Sequence, residues 1–295
     1  MPSFVHDRKQ LMKNLKEKAM QIVFLLTACV SIAAVILICV FLFANGIPAI
    51  GKIGAVKFLL GRTWRPENNI YGIFPMIIGS IYVTAGALII GVPIGVLTAV
   101  FMARFCPKCI YKPIKSGIDL MAGIPSVVYG FFGLVVIVPF VRDHFGGRGF
   151  SVLTAAILLG LMILPTIISV AESSVRAVPQ SYYEGALALG ASHERSVFFA
   201  ILPAAKSGIL AGIVLGIGRA IGETMAVMMV AGNQALIPKS LTDGVRTLTT
   251  NIVMEMGYSA DLHREALIAT AVVLFVFILL INLTFSVLKR RSDKA

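Results

Sequence analysis

Ser181-Tyr-Tyr-Glu184-Gly185-Ala186-Leu-Ala-Leu-Gly190-Ala-Ser192 continues through His193-Glu-Arg-Ser-Val197-Phe198-Phe199-Ala200-Ile201 to Leu202 and Pro203. The stretch joins two long charge-free runs, yet it is far from polar. Ser181 with Glu184 three residues on is a capping-box pattern, which predicts a short helix beginning there. Gly190 suits the end of that helix, as a residue in the left-handed region just past the last turn. Ser192 is placed to cap a second helix carrying Val197, Phe198 and Phe199, and Pro203 opens the next stretch. Two short helices rich in apolar and small residues make costly surface in water unless a partner covers them. The other reading is a hairpin buried among lipid headgroups.

The flanking runs belong to a set of six. Hydrophobic residues make up 58% of the 295, charged residues only 14%, and the mean hydropathy is +0.91. Such a chain has too few charges to clothe a water-soluble enzyme, and the same figures exclude disorder. A spanning helix needs roughly 20 mostly apolar residues. Six stretches qualify, near Ala19–Ala44, Ile73–Ala103, Leu120–Val141, Gly149–Ala171, Ser207–Ala231 and Ala266–Leu288. The first is too long and lacks the cleavage site of a signal peptide. The fold class is therefore all-α, a polytopic membrane protein with six transmembrane helices.

Six spans leave both termini on one side. Sixteen of the 26 Lys and Arg fall in the N-terminal segment, the 104–115 loop, the 176–206 segment and the tail. Nine lie in the opposite loops, and Arg219 sits inside a span. The positive-inside rule places both termini in the cytoplasm and absorbs the net charge of +12, leaving no need for a nucleic-acid partner. Within the basic N-terminal segment 1–18, Phe4 to Lys18 alternates basic and apolar residues, either as an amphipathic helix on the inner leaflet or as a tail that fixes orientation.

Several motifs turn out empty on inspection. Gly46 to Ile53 is one residue short of a phosphate-cradling loop, because Ile53 stands where Ser or Thr must hold magnesium. The chain is thus expected not to hydrolyse ATP itself. Cys106 and Cys109 have C-x-x-C spacing but no second ligand pair, and the four histidines are scattered, so no metal site is read. No cofactor site and no converging catalytic set emerges.

The fifth span carries two charges, Arg219 and Glu223, four residues apart. On a continuous helix they share a face and partly neutralise each other. Either one costs about 2.5–3.5 kcal/mol at mid-membrane on insertion scales. Gly212, Gly216, Arg219 and Glu223 fall on one stripe, where small residues allow close helix approach. The stripe faces a partner helix or a central pathway. Either the pair only locks helices together, or Arg219 meets a passing anion, for which a guanidinium fork suits phosphate geometry. Asp119 is expected to cap the start of the third span, and Gly123, Pro125, Gly130, Pro93 and Pro165 to kink their helices.

Glu184-Gly-Ala186-x3-Gly190 followed by Ile201-Leu202-Pro203 resembles the EAA loop of ABC importer permeases, the MetI-like family. Gly185 replaces the first Ala of the pair, and Ala200 stands where Ile is usual. The resemblance implies a permease domain over 72–288, with 19–44 an extra N-terminal helix and 289–295 a cytoplasmic tail. It implies that Glu184, Gly185, Ala186, Gly190, Leu202 and Pro203 dock on an ATPase subunit. Arg219-Ala-Ile-Gly-Glu223-Thr224-Met225 and Ile118 to Gly130 resemble the phosphate branch of that family. By that resemblance Arg219, Glu223 and Thr224 line the substrate pathway in a bacterial or archaeal inner membrane. The implied partners are a second permease, an ATPase dimer and an extracytoplasmic phosphate-binding protein. Sulfate, molybdate or phosphonate permeases and a stand-alone secondary transporter are the rival readings.

Overall fold

The computed structural model describes residues 3–292, with side chains over 16–287. Readings made for the side chains of the basic N-terminal segment and of the tail lie outside the described residues. Helix α1 (Ser3–Ile53) runs through the first span, and a short α2 (Ala55–Leu60) follows. A two-residue antiparallel hairpin, β1 (Trp64–Arg65) and β2 (Ile70–Tyr71), leads into α3 (Phe74–Val100). Next come α4 (Lys108–Gly123), α5 (Ser126–Phe132), α6 (Val138–Phe145) and α7 (Val152–Ala177). The 176–206 segment holds α8 (Gln180–Ala188) and α9 (His193–Ser196), then α10 (Leu202–Gly222) begins. Short α11 (Met225–Val230), α12 (Leu248–Met256) and the long α13 (Asp261–Ser292) complete the chain. Among the described residues six helices, some joined through π-helical turns, are long and apolar enough to cross a membrane.

Helix α7 is the most enclosed of the six, and glycines explain how its neighbours approach it. A Cβ on Gly91 of α3 would stand 2.8 Å from Ile163, and one on Gly95 2.9 Å from Ile167. From the other side, Gly216 of α10 would meet Ile167 at 2.9 Å and Gly212 would meet Val170 at 3.2 Å. Bare backbone thus lets α3 and α10 press against α7, where lipid offers no hydrophobic drive and packing must supply the attraction. Helix α1 stands apart. It touches α13 near its C-terminal end, with Gly46 against Val272 and Phe43 edge-on to Phe275 at 5.8 Å, while Met20 to Phe41 remains largely uncovered.

Four expectations need correction. The third span does not begin at Leu120. Ile124 is extended (φ −70°, ψ 126°) and Pro125 opens a new helix, since proline disfavours helical backbone in the residue before it. Crossing therefore starts at Ser126, and α4 is a separate amphipathic helix. Asp119 accordingly caps nothing; it sits in the last turns of α4, 3.6 Å from Lys115. The fifth span is also not one helix to Ala231. It runs from His193 to Gly222 and breaks at Glu223 (φ −70°, ψ 129°). Finally, Ser181 forms no capping box, because α8 starts one residue earlier behind Pro179, whose fixed φ suits a helix entry.

Candidate functional site: a charged helix break and an exposed helical hairpin

The break at Glu223 undoes the expected Arg219–Glu223 pair. With helix i to i+4 geometry lost, the two side chains turn to different neighbours. Glu223 folds onto the start of α11, where its Oε1 accepts the N–H groups of Thr224 and Ala226, each at 3.1 Å. A carboxylate at a helix N-terminus satisfies donors that would otherwise be unpaired in the membrane. The Glu223 carbonyl in turn accepts from the Thr249 hydroxyl of α12 at 3.1 Å, and the Thr224 hydroxyl bonds the Gly222 carbonyl at 3.2 Å. The break is braced on both sides.

Arg219 has no such closure. Its guanidinium reaches the Thr166 hydroxyl of α7 at a long 3.4 Å, and among the described residues no carboxylate lies within 4.0 Å. Tyr129 of α5 lies within electrostatic reach of it. The Tyr129 hydroxyl donates to the Met121 carbonyl at 2.9 Å, bridging the Ile124–Pro125 break. Gly130 lets α5 rest on α11, since a Cβ there would stand 2.6 Å from Met229 and 3.1 Å from Ala226. Both broken spans thus meet near one half-buried cation. Beside them, Ile124, Val128, Tyr129 and Leu161 line an apolar recess of about 390 Å³. Arg219 is thus, among the described residues, a cation without a fixed carboxylate in a medium that weakly screens its charge.

At one end of the bundle the 179–203 hairpin projects outward. Gly190 (φ +84°) ends α8 as expected from its lack of a Cβ, with Ala191 N–H bonded to the Ala186 carbonyl at 3.1 Å and Gly190 N–H to Leu187 at 2.9 Å. Ser192 caps α9 through the Arg195 N–H. The hairpin keeps its shape by a Tyr183–His193 hydrogen bond of 2.8 Å and by Val197 and Ile201 packed in the core. Leu189 is nevertheless 90% exposed and Phe199 77%, with Tyr182 and Phe198 uncovered as well. Glu184, Gly185, Ala186 and Gly190 lie along this outer part, Gly185 with open space around it, while Leu202 is half-buried and Pro203 exposed where α10 begins.

The base of the hairpin holds a cluster that sequence reading passed over. Glu172 of α7, 3% exposed, accepts from Tyr111 at 2.6 Å and Arg176 at 2.9 Å and lies 3.5 Å from Lys115. Arg176 also reaches the Met102 carbonyl at 2.8 Å. The hydrogen bond to Glu172 holds the Tyr111 phenol above its ordinary pKa, so it stays a donor. Its signal was legible, an acid four residues before Arg176 where the charge-free run ends. At the opposite end, Glu255 binds Trp64 at 2.8 Å, His263 at 2.9 Å and Arg246 at 2.6 Å, tying the β hairpin to α12 and α13.

Comparison with known proteins agrees with this geometry. Residues 91–294 match the family described as binding-protein-dependent transport system inner membrane component. A probable ABC transporter permease protein of Bacillus subtilis, YqgH, is 38% identical, covering 88% of each chain. The phosphate transport system permease protein PstC of Mesorhizobium japonicum is 33% identical over 81% of this chain and 80% of its own. Among solved structures, a chain of a bacterial alginate-importing ABC transporter superposes with a TM-score of 0.63 at 15% identity, covering 96% of this chain and 99% of its own. A chain of the MetNI methionine transporter does so with 0.55 at 20% identity, covering 75% and 94%. With over two thirds of its length matching the family and its helices arranged as in ABC transporters, this multi-pass membrane chain belongs to the binding-protein-dependent transport system inner membrane components, the permease subunits of ABC importers.

Proposed function

We propose that the chain forms half of the membrane pathway of an importer for inorganic phosphate. The observation that carries this reading is Arg219, a membrane-embedded cation with no carboxylate partner among the described residues, supported by the relatives named for phosphate transport. A planar guanidinium presents paired donors that match phosphate oxygens. Glu223 is occupied in capping α11, so it shapes the break and leaves Arg219 for the anion. Thr224, at the same break, adds a hydroxyl to the pathway.

The remaining assignments follow. Both termini and the 179–203 hairpin face the cytoplasm, where Glu184, Gly185, Ala186, Gly190, Leu202 and Pro203 form the docking surface for an ATPase. The core over 72–288 carries the path, and 19–44 is an added anchor. Partners are a second permease (PstA-like), an ATPase dimer (PstB-like) and an extracytoplasmic phosphate-binding protein (PstS-like). ATP is hydrolysed on the separate subunit. Moving an anion into a negative interior costs about 2.3 kcal/mol per charge per 100 mV, so an energy source is required. Closure of the ATPase dimer pushes the hairpin, the Glu172 cluster passes the movement to α4 and α7, and the two breaks beside Arg219 shift access from one side to the other.

Radiolabelled phosphate uptake in cells lacking only this chain tests the cargo. Restoring the chain should restore uptake that excess sulfate or molybdate leaves unchanged. Restored uptake of sulfate or molybdate in place of phosphate would refute the phosphate reading.

A further inference from the structure

The linker between α1 and α3 carries Lys52, Lys57 and Arg62 around one open recess of about 470 Å³, with Thr63, Asn69 and Tyr71 completing its wall. Its frame is rigid. Gly61 and Gly72 cross backbone to backbone, so closely that a Cβ on Gly61 would stand 2.7 Å from the Gly72 Cα. Hydrogen bonds from Gly72 N–H to Thr63 O at 2.9 Å and from Ile73 N–H to Phe58 O at 2.9 Å fix the crossing. Lys52 pairs with Glu265 at 2.7 Å, but Lys57 and Arg62 have no carboxylate within 4.0 Å among the described residues. The recess therefore carries a surplus of two positive charges, on the side of the membrane where basic residues are scarcer.

Helix α2 forms the adjoining wall and is apolar on two faces. Phe58 is fully buried, whereas Val56 and Leu60, one turn apart on the opposite face, are 71% and 62% exposed. Lys57 projects between these faces. An exposed apolar strip beside two unpartnered cations, just past the end of the first membrane helix, complements a molecule with a phosphate at one end and acyl chains at the other. We propose that this recess binds the headgroup phosphate of an anionic phospholipid, held by Lys57 and Arg62, with acyl chain against Val56 and Leu60. Free inorganic phosphate would use the same two cations and ignore the apolar strip.

The test uses the purified full-length chain in nanodiscs of phosphatidylcholine containing a trace of spin-labelled phosphatidylglycerol or spin-labelled phosphatidylcholine, read as the immobilised lipid fraction. Wild type should hold the anionic probe preferentially. Lys57→Gln with Arg62→Gln should lower that preference about fivefold for each cation removed, the scale of basic residues at an anionic bilayer surface. Lys57→Arg with Arg62→Lys should retain it. Arg148→Gln with Lys239→Gln, which removes the same charge from exposed loops elsewhere, should retain it too. Equal loss in that control, or no loss in the Lys57 and Arg62 variant, would overturn the proposal by showing diffuse attraction only. Displacement of the anionic probe by millimolar inorganic phosphate at constant ionic strength would overturn it in favour of the free anion.

Discussion

Glu223 separates two roles that an acid inside a membrane helix can play. If it serves by capping α11, the neutral amide should do nearly as well, because Gln retains a carbonyl oxygen for the Thr224 and Ala226 N–H groups. Thermal unfolding of Glu223→Gln is then expected to stay close to wild type, while Glu223→Ala loses about 1 kcal/mol, the usual worth of a cap. Equal losses in both would assign the effect to charge. Tyr111 poses a similar question at the base of the hairpin. Tyr111→Phe removes one donor to the buried Glu172 carboxylate and should cost about 1–3 kcal/mol, the price of weakening a buried charged acceptor. With its folded pKa raised, the phenol stabilises below the ordinary value of 10.0, and that contribution is lost as pH rises through the folded value. Melts across pH 7 to 9 should therefore show a constant difference between Tyr111→Phe and wild type.

The contrast between two nearby glycines tests the packing of the elements. A Cβ on Gly216 would press on Ile167 at 2.9 Å, whereas Gly218 has open space. Gly216→Leu should destabilise by about 1–3 kcal/mol through overpacking against α7, and Gly218→Leu should be neutral or slightly stabilising, since leucine is the better helix former. Comparable melts for the two variants would contradict the close approach of α10 to α7. In the hairpin, Gly190→Ala forces a side chain into the left-handed region at φ +84°, at about 1–2 kcal/mol. Its expected effect is slower ATP-driven uptake with the complex still assembled. At this scale the sequence was informative where one residue sets the local rule. Apolar runs located six helices, Gly190 located the end of α8, and Ser192 located the start of α9. It misled where two rules competed. Hydropathy carried the third span back to Leu120, although Pro125 disfavours helical backbone at Ile124. It likewise carried the fifth past Glu223, because no proline marks a break that tertiary bonds from Thr249 sustain. The Arg219–Glu223 pairing fell with that break, and of the Glu172 cluster only the Glu172–Arg176 spacing was legible, because Tyr111 and Lys115 reach it from the distant α4.

For the whole molecule, an exposed hairpin lies at one end and, within the membrane, a cation that among the described residues has no carboxylate partner. Between them, α4 is anchored to α7 through Glu172 and leads directly into the Ile124–Pro125 break bridged by Tyr129. In the proposed cycle, movement of the hairpin passes along these contacts towards Arg219. The most direct measurement is phosphate accumulation by the complete complex in proteoliposomes, with ATP hydrolysis recorded in parallel, for wild type, Arg219→Lys and Arg219→Ala. Arg219→Ala is expected to assemble and still hydrolyse ATP on contact with the loaded binding protein, yet to accumulate phosphate at least tenfold more slowly, with Arg219→Lys between the two. Phosphate accumulation by Arg219→Ala at the wild-type rate would contradict that expectation, reducing Arg219 to a helix contact.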